Sequence, residues 1–176
     1  MSSTVTSDAG VNYDTWHIFL YHAKWKADAD GFNMVWEPGF ENEPTESIKY
    51  KTLWNVPNAS SSYDAHGGKV SCKLSNTGDG VWKDACTQNI VVHKNTDYVI
   101  RGYAKASLVG YEKAYLGARL PVGGVKDKAI PLNPDTWTEI EVEFNSGNNT
   151  EVELFFGTWG HAGLSVTVDD IHMSPR

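Results

Sequence analysis

Aromatic side chains are the most unusual chemical feature of this sequence. It contains 7 Trp and 8 Tyr among 176 residues, more than one hydrophobic core needs. An aromatic ring can cover the apolar C–H face of a pyranose unit, while planar polar side chains pair with its hydroxyl groups. Exposed aromatic residues also mark binding surfaces in general. The composition therefore predicts a surface that recognises its ligand by stacking.

Two tryptophans lie in loops that would display them. Trp82 is the strongest candidate because it follows a glycine-rich segment, residues 78–80, just before a strand-like run. Trp159 has Gly157 before it and Gly160 after it, which is typical of a tight loop. The alternative for Trp82 is a ring folded back onto the core.

Further candidates combine rings with guanidinium groups. Alternation along an extended chain places Arg101 with Tyr103, and Tyr115 with Arg119, on shared faces. If those two strands are neighbours, the four side chains form the floor of a groove. The alternative is a solvated sheet face, although such a face more often carries Thr, Lys and Glu. The complete set of predicted sugar-binding residues is Trp82, Gln88, Arg101, Tyr103, Tyr111, Tyr115, Arg119 and Trp159.

The acidic residues do not form a recognisable catalytic pattern. A glycosidase needs two carboxylates facing each other across a cleft, whereas Glu139, Glu141 and Glu143 lie on one face of one predicted strand. No His-Glu-x-x-His or Gly-x-Ser-x-Gly motif occurs in the sequence. Residues that could take part in a lyase reaction are Gln88, His93, Arg101 and Tyr103. We predict a protein without catalytic activity, with a polysaccharide lyase or glycosidase as one alternative and a protein-interaction or adhesion module as another.

The elements that position these residues are strands. Apolar and polar residues alternate at residues 70–74, 90–92, 98–105, 140–144 and 152–156, and turn-forming residues separate these runs. Residues 15–22 and 32–36 are two further possible strands. Several short strands at this spacing predict an all-β fold, a β-sandwich jelly roll of two antiparallel sheets.

Composition limits the organisation and the partners of the chain. We predict a disordered tail over residues 1–11 and a single domain over 12–176. The formal net charge of −7 disfavours nucleic acid, and no apolar run approaches the ~20 residues of a membrane helix. Met-Ser-Ser-Thr is not a signal peptide, so the protein is cytoplasmic unless an export signal has been replaced. Cys72 and Cys86 are either a disulfide or two reduced, buried thiols.

Several segments, read in order, resemble one superfamily of carbohydrate-binding modules. The first is Trp36-Glu-Pro-Gly-Phe-Glu41, and the others are residues 68–74, 87–105, 137–144 and 168–171. Together they are similar to families four, nine, sixteen and twenty-two, whose fold is a galactose-binding-like jelly roll. The resemblance spans roughly residues 33–173. Two departures are that Glu37 replaces the usual Asn, and that about 30 residues precede the opening motif.

This resemblance implies a structural Ca²⁺ between the opening motif and the last strand. Glu41 would supply a carboxylate, and Gly39 and Lys69 would supply backbone carbonyls. Asp169 would supply its side chain and its carbonyl. Hard oxygen ligands of this kind suit Ca²⁺. Strand alternation places Asp169 on the same face as Ile171 and Met173, and therefore predicts a carboxylate that points inward.

The resemblance also implies a role for the chain. It resembles a non-catalytic module that binds a polysaccharide such as a β-glucan or xylan, and Trp82 occupies the place of a sugar-stacking Trp. An open groove across a sheet would bind within such a chain rather than at its tip. The two arginines would also tolerate an acidic polymer. We expect a secreted, monomeric module that belongs to a larger multidomain enzyme and concentrates it on its substrate.

Overall fold

The computed structural model describes residues 33–41, 54–75, 80–107, 114–131, 133–159, 161 and 163–176. The chain divides into two units, Met1–Met34 and Val35–Arg176, and the description below concerns the second unit. The predicted tail at 1–11, the possible strand at 15–22 and Tyr111 lie outside the described residues. Within the described ranges there is no helix, and hence none long and apolar enough to cross a membrane.

The described residues form nine strands in two antiparallel sheets. The strands are β1 (Ala59–Ser62), β2 (Ser71–Ser75), β3 (Trp82–Val91), β4 (Asp97–Ala106), β5 (Ala114–Leu120), β6 (Gly124–Ala129), β7 (Thr138–Asn145), β8 (Glu151–Trp159) and β9 (Ser165–Pro175). One sheet has the order β1-β2-β9-β4-β7, and the other has the order β3-β8-β5-β6. The non-sequential order within each sheet confirms the predicted all-β jelly-roll sandwich.

The core lies between the two sheets and follows the predicted alternation. In β7, Ile140, Val142 and Phe144 are buried while the glutamates between them are exposed. In β8, Leu154 and Phe156 are fully buried from the opposite sheet. Burying each large apolar side chain contributes about 1.5–3 kcal/mol, which explains why the alternation predicts the strand faces so well.

The two cysteines face each other across this core. Cys72 on β2 and Cys86 on β3 come from opposite sheets and are free thiols with no exposed surface. Burial, together with a hydrogen bond to Cys72, raises the pKa of the Cys86 thiol well above its ordinary value. Of the two alternatives that the sequence left open, the structure therefore contains the buried thiol pair.

Trp54 is a core residue. Its side chain is fully buried, and its ring centroid lies 5.1 Å from that of Phe40. The indole Nε1 donates a hydrogen bond to the Glu37 carbonyl at 3.1 Å. This polar contact satisfies the one N–H that the buried ring carries.

A β-bulge in the middle of β9 changes which residues share a face. The pairing with β4 shifts from Arg101 opposite His172 to Tyr103 opposite Asp169. Asp170 is the extra residue of the bulge, and its φ is positive, at 47°. Asp169 therefore lies on the outer face with Tyr103, and Ile171 lies on the inner face. The prediction that Asp169 points inward was wrong, because strict alternation does not survive a bulge.

The backbones of β5 and β6 approach each other closely at Gly117, where a larger residue should destabilise the fold. A Cβ on Gly117 would lie 2.3 Å from the Lys126 carbonyl oxygen and 2.7 Å from Asp127 Cβ, on the neighbouring strand β6. We expect G117A to destabilise the fold by about 1–3 kcal/mol, since backbone must move to admit the methyl group. Urea unfolding would measure this loss.

The matched control is G102A, also in a strand. A Cβ on Gly102 would meet the flexible tip of Leu116 at 3.2 Å rather than backbone, so a smaller loss is expected. Equal midpoints for G117A and the unmodified chain would contradict the predicted close packing of β5 on β6.

Candidate functional site

The outer surface of the four-stranded sheet gathers four of the predicted binding residues. Strands β3 and β8 pair Trp82 with Trp159, and β8 and β5 pair Gly157 with Tyr115. Paired residues on neighbouring strands point to the same side of a sheet. Arg119 lies four residues after Tyr115 on β5, and therefore on the same side of the sheet. We call this surface, which carries Trp82, Tyr115, Arg119 and Trp159, the binding face.

Trp82 is the centre of an aromatic cluster on the binding face. Its ring centroid lies 5.9 Å from that of Tyr115, 5.6 Å from that of Trp159 and 5.7 Å from that of Phe155. The Trp159 ring is inclined at 72° to that of Trp82 and is 45% exposed. Rings at such angles can form the floor and a wall of a stacking site.

Gly157 lets the Trp82 ring lie directly on the sheet. A Cβ at this position would come within 2.6 Å of Trp82 Cζ2 and 2.7 Å of the Lys83 carbonyl oxygen. Any other residue would therefore displace the indole from the strand below it. The half-buried Trp82 is consequently a fixed platform rather than a free loop side chain.

A polar network surrounds this platform. Arg119 Nη2 donates to Asp84 Oδ1 and Arg119 Nη1 donates to Glu153 Oε1, both at 2.5 Å. The same Asp84 oxygen accepts a hydrogen bond from Trp82 Nε1 at 2.9 Å. The Arg119 guanidinium also lies over the Phe155 ring, 4.2 Å from its centroid.

This environment keeps Arg119 charged. Burial lowers the pKa of Arg119, but the hydrogen bonds and charges of Asp84 and Glu153 outweigh that effect and raise the pKa overall. A cation between two carboxylates has little remaining capacity to bind an anionic ligand.

Two predicted residues, Arg101 and Tyr103, lie on the other sheet. Strand β4 belongs to the five-stranded sheet and β5 to the four-stranded sheet, so these strands are not neighbours and the predicted four-residue floor does not form. Arg101 Nε pairs with Glu141 Oε2 at 2.7 Å. Tyr103 stacks on His66 with ring centroids 3.6 Å apart. Both side chains therefore lie on the five-stranded sheet, on the opposite side of the sandwich from the binding face.

The Gln88 side chain forms hydrogen bonds with the backbone of Trp36. Its Oε1 accepts a hydrogen bond from the Trp36 N–H at 2.9 Å, and its Nε2 donates to the Trp36 carbonyl at 3.1 Å. Gln88 pairs with Leu154 of β8, a buried core residue, so it lies on the inner side of the sheet. The structure thus places Gln88 away from the binding face.

Three residues of the binding face were missed by sequence reasoning. They are Asp84, Glu153 and Phe155. Alternation within β8 places Glu153 and Phe155 on the same side as Trp159, and this signal was present in the sequence. What the sequence did not show is that Asp84 and Glu153 meet on one arginine, because that depends on which strands flank β8.

A second group of predicted residues forms the candidate metal centre beside the bulge. A Cβ on Gly39 would lie 3.3 Å from Asp170 Oδ1, 3.6 Å from Glu41 Cγ and 3.9 Å from Asp169 Oδ1. The three acidic side chains therefore lie around Gly39, and we call them the carboxylate cluster. Three of the four predicted ligands, Gly39, Glu41 and Asp169, are brought together there.

Backbone groups of one loop hold the cluster in place. Both carboxylate oxygens of Glu41 accept hydrogen bonds from the Lys69 N–H at 2.9 Å. Asp169 Oδ2 accepts hydrogen bonds from the N–H groups of His66 at 2.8 Å and Gly67 at 3.2 Å. A Cβ on Gly68 would overlap the Glu41 carboxylate, so only glycine fits there. The fourth predicted residue, Lys69, thus contributes at least its N–H.

Burial and a neighbouring charge both act on the Asp169 carboxyl of the carboxylate cluster. Burial, and then the charge of Asp170, raises the pKa of Asp169 to about 6. No Lys or Arg ion pair is formed by Glu41 or Asp169 within the described ranges. Among the same residues, no group of three or more His, Cys, Asp or Glu side chains is placed so that it could hold a metal ion. An ion here would therefore need backbone carbonyl oxygens as well, which Ca²⁺ accepts readily.

The fold and the binding face together define a class of protein, the jelly-roll modules that bind carbohydrate. The chain belongs to the carbohydrate binding domain family, whose model matches residues 33–163. No curated protein sequence matches the chain.

Solved structures with the same fold include several carbohydrate-binding modules. A family 16 carbohydrate-binding module has a TM-score of 0.61 at 17% identity, and the match covers 81% of this chain and 99% of that one. The family 61 module TmCBM61, solved in complex with β-1,4-galactotriose, has a TM-score of 0.57 at 14% identity, covering 82% and 99%. The xylan-binding domain CBM22-1 from Paenibacillus barcinonensis Xyn10C has a TM-score of 0.52 at 17% identity, covering 78% and 90%.

Proposed function

We propose that this carbohydrate-binding domain holds a neutral polysaccharide chain, such as a β-glucan or xylan, across its binding face. The observation that carries the proposal is the half-buried Trp82 platform with Trp159 inclined beside it. A sugar ring can stack on the indole while its hydroxyl groups meet the polar side chains around it. The site lies on paired strands, so its geometry is set before the ligand arrives.

The charge distribution supports a neutral ligand over an acidic one. Arg119 is the basic residue of the predicted set on the binding face, and it is paired with both Asp84 and Glu153. The two carboxylates exceed the single positive charge, so an anionic polymer would meet net repulsion there. The expectation that two arginines would tolerate an acidic glycan loses its basis, because Arg101 lies on the other sheet and binds Glu141.

The same pairing supports binding rather than catalysis. Glycosidases place two carboxylates on opposite sides of the scissile bond. On the binding face, Asp84 and Glu153 instead share one guanidinium group. Family membership agrees with a binding module of the kind that typically lacks catalytic activity.

Affinity electrophoresis would test the ligand class. We expect gels containing β-glucan or xylan to slow the chain, and gels containing polygalacturonate to leave its migration unchanged. Retardation by the acidic polymer alone would contradict the neutral-ligand proposal. Migration unchanged by every polysaccharide would contradict carbohydrate binding at this face, and release of unsaturated or reducing ends would favour the enzyme alternative.

We further propose that the carboxylate cluster holds a structural Ca²⁺. Glu41 and Asp169 would supply carboxylate oxygens, and Gly39 and Lys69 would supply backbone carbonyls. The ion would neutralise acidic groups that the backbone N–H groups of His66, Gly67, Lys69 and Val70 already hold in place. It would join the segment before β1 to the loop that precedes β2 and to β9, and so stabilise one edge of the sandwich.

We also propose that the module is secreted and works as a part of a larger polysaccharide-degrading enzyme. One solved neighbour is itself a xylan-binding domain of a larger named protein. Tethering a catalytic domain to an insoluble chain raises its effective concentration there. The coding sequence on either side of this chain would show whether an enzyme adjoins it.

A further inference from the structure

We propose that Glu153 is a positioning residue for sugar binding, acting on the Trp82 platform through Arg119 and Asp84. The proposal rests on the proposed function, since it concerns how the stacking surface is held. Glu153 itself touches neither tryptophan in the described contacts. Glu153 acts on the indole through three successive contacts across the binding face, which are Glu153 with Arg119, Arg119 with Asp84, and Asp84 with Trp82.

The first contacts run from Glu153 to Asp84. Arg119 lies directly opposite Glu153 in the pairing of β5 with β8, and its Nη1 reaches the Glu153 carboxylate at 2.5 Å. Its Nη2 reaches Asp84 on β3 at the same distance. Because its two terminal nitrogens are held by different strands, the guanidinium plane has little freedom to turn, and Phe155 closes it from one side. Glu153 therefore sets where the second guanidinium nitrogen lies.

The last contact runs from Asp84 to the indole. Asp84 Oδ1 accepts from both Arg119 and Trp82 Nε1, so one oxygen atom joins the cation to the ring. Asp84 lies at the irregularity in the pairing of β3 with β8, where the register shifts between Asp84 and Cys86. Backbone pairing is weakest at such a place, and the position of the Asp84 side chain depends correspondingly more on its polar partners.

The polar contact adds a preferred direction to the packing that holds the ring on the strand. The indole lies against the strand at Gly157, where a Cβ would come within 2.6 Å of Trp82 Cζ2, and dispersion contacts of this kind are not directional. The hydrogen bond from Nε1 selects one orientation, and in that orientation the rings of Trp82 and Trp159 meet at 72°. A stacking site that is loosened in this way loses affinity, because binding must then order the ring.

The test compares E153Q with E151Q in the full chain. Glu151 is the matched control, since it is an exposed glutamate two residues earlier on the same side of the same strand and makes none of the described ion pairs. Glutamine keeps the size of the side chain and removes the charge. The first measurement needs no ligand: two indoles 5.6 Å apart at 72° should give an exciton-coupled circular dichroism signal, which W159F should abolish.

We expect E153Q to weaken this signal markedly and to lower affinity for the bound polysaccharide about tenfold, the loss expected for one charge-assisted hydrogen bond. We expect E151Q to change neither, and both variants to melt within a few degrees of the unmodified chain. A second variant, R119K, keeps the charge but cannot hold both carboxylates in one plane, and should behave as E153Q does.

The outcomes separate this proposal from the proposed function. An unchanged indole signal and unchanged affinity in E153Q would overturn the positioning role, even with the unmodified chain binding glycan well. Equal losses in E153Q and E151Q would overturn it too, because they would reflect charge alone. If the unmodified chain bound no glycan, the proposed function would fail, while the ligand-free signal would still decide whether Glu153 orients Trp82.

Discussion

The W82A variant is expected to lose polysaccharide affinity by at least about 30-fold, which is the effect of removing a central aromatic anchor worth about 2 kcal/mol or more. Trp82 has ring contacts with Tyr115, Phe155 and Trp159, so its removal opens the middle of the binding face. It also takes away a donor to Asp84 and a surface beside Arg119. Isothermal titration with a soluble oligosaccharide would measure the loss.

The control for this prediction is Y63A. Tyr63 is 81% exposed and follows β1 of the five-stranded sheet. The Y63A substitution therefore removes an aromatic surface residue without altering the binding face. We expect Y63A to bind as the unmodified chain does. Full affinity in W82A, with its thermal unfolding unchanged, would place the glycan elsewhere. Loss of binding to a protein partner, with glycan binding retained, would instead support the adhesion alternative.

Removal of Ca²⁺ is expected to lower the unfolding temperature by about 5–10 °C. An ion present at about 100 times its dissociation constant stabilises the folded state by about 2.7 kcal/mol, and for a chain of this size each kcal/mol shifts the midpoint by about 2–4 °C. The physical source is the carboxylate cluster, where Asp169 is fully buried beside Asp170. Calorimetry with and without a chelator would measure the shift.

The E41Q variant identifies the site of the ion. It removes one carboxylate of the cluster and should abolish most of the response to the chelator. E139Q is the matched control, because Glu139 is an exposed glutamate on β7 that does not belong to the cluster. A chelator response that is the same in E41Q as in the unmodified chain would remove Glu41 from the ligand set. An unchanged unfolding temperature in the unmodified chain would count against a structural ion altogether.

The strands and their faces were readable from the sequence because burial imposes a period of two along each strand. Alternation at residues 140–144 and 152–156 predicted the buried positions of β7 and β8, and the structure buries those side chains. The same rule places Tyr115 with Arg119 on one side of β5. These are properties of one strand at a time, so a single sequence contains them.

Neighbour relations across strands needed the tertiary structure. Arg101 and Arg119 have similar local patterns, yet β4 and β5 lie in different sheets, and the two side chains therefore face opposite surfaces of the sandwich. Asp84 and Glu153 are 69 residues apart in the chain and meet on Arg119 only because β8 lies between β3 and β5. Pairing of distant strands is a property of the whole fold, and no local pattern specifies it.

In the carboxylate cluster, too, the sequence predicts some features and the tertiary structure decides others. The sequence determined which residues carry hard oxygen ligands, Glu41 and Asp169 among them, and their resemblance to a known family connected them. Alternation then assigned Asp169 to the wrong face, because one extra residue at Asp170 reverses the side on which every later side chain lies. The sequence by itself thus determined the chemistry of the side chains and the faces of regular strands. Only the tertiary structure decided which strands meet and where a bulge interrupts them, since both depend on contacts between residues far apart in the chain.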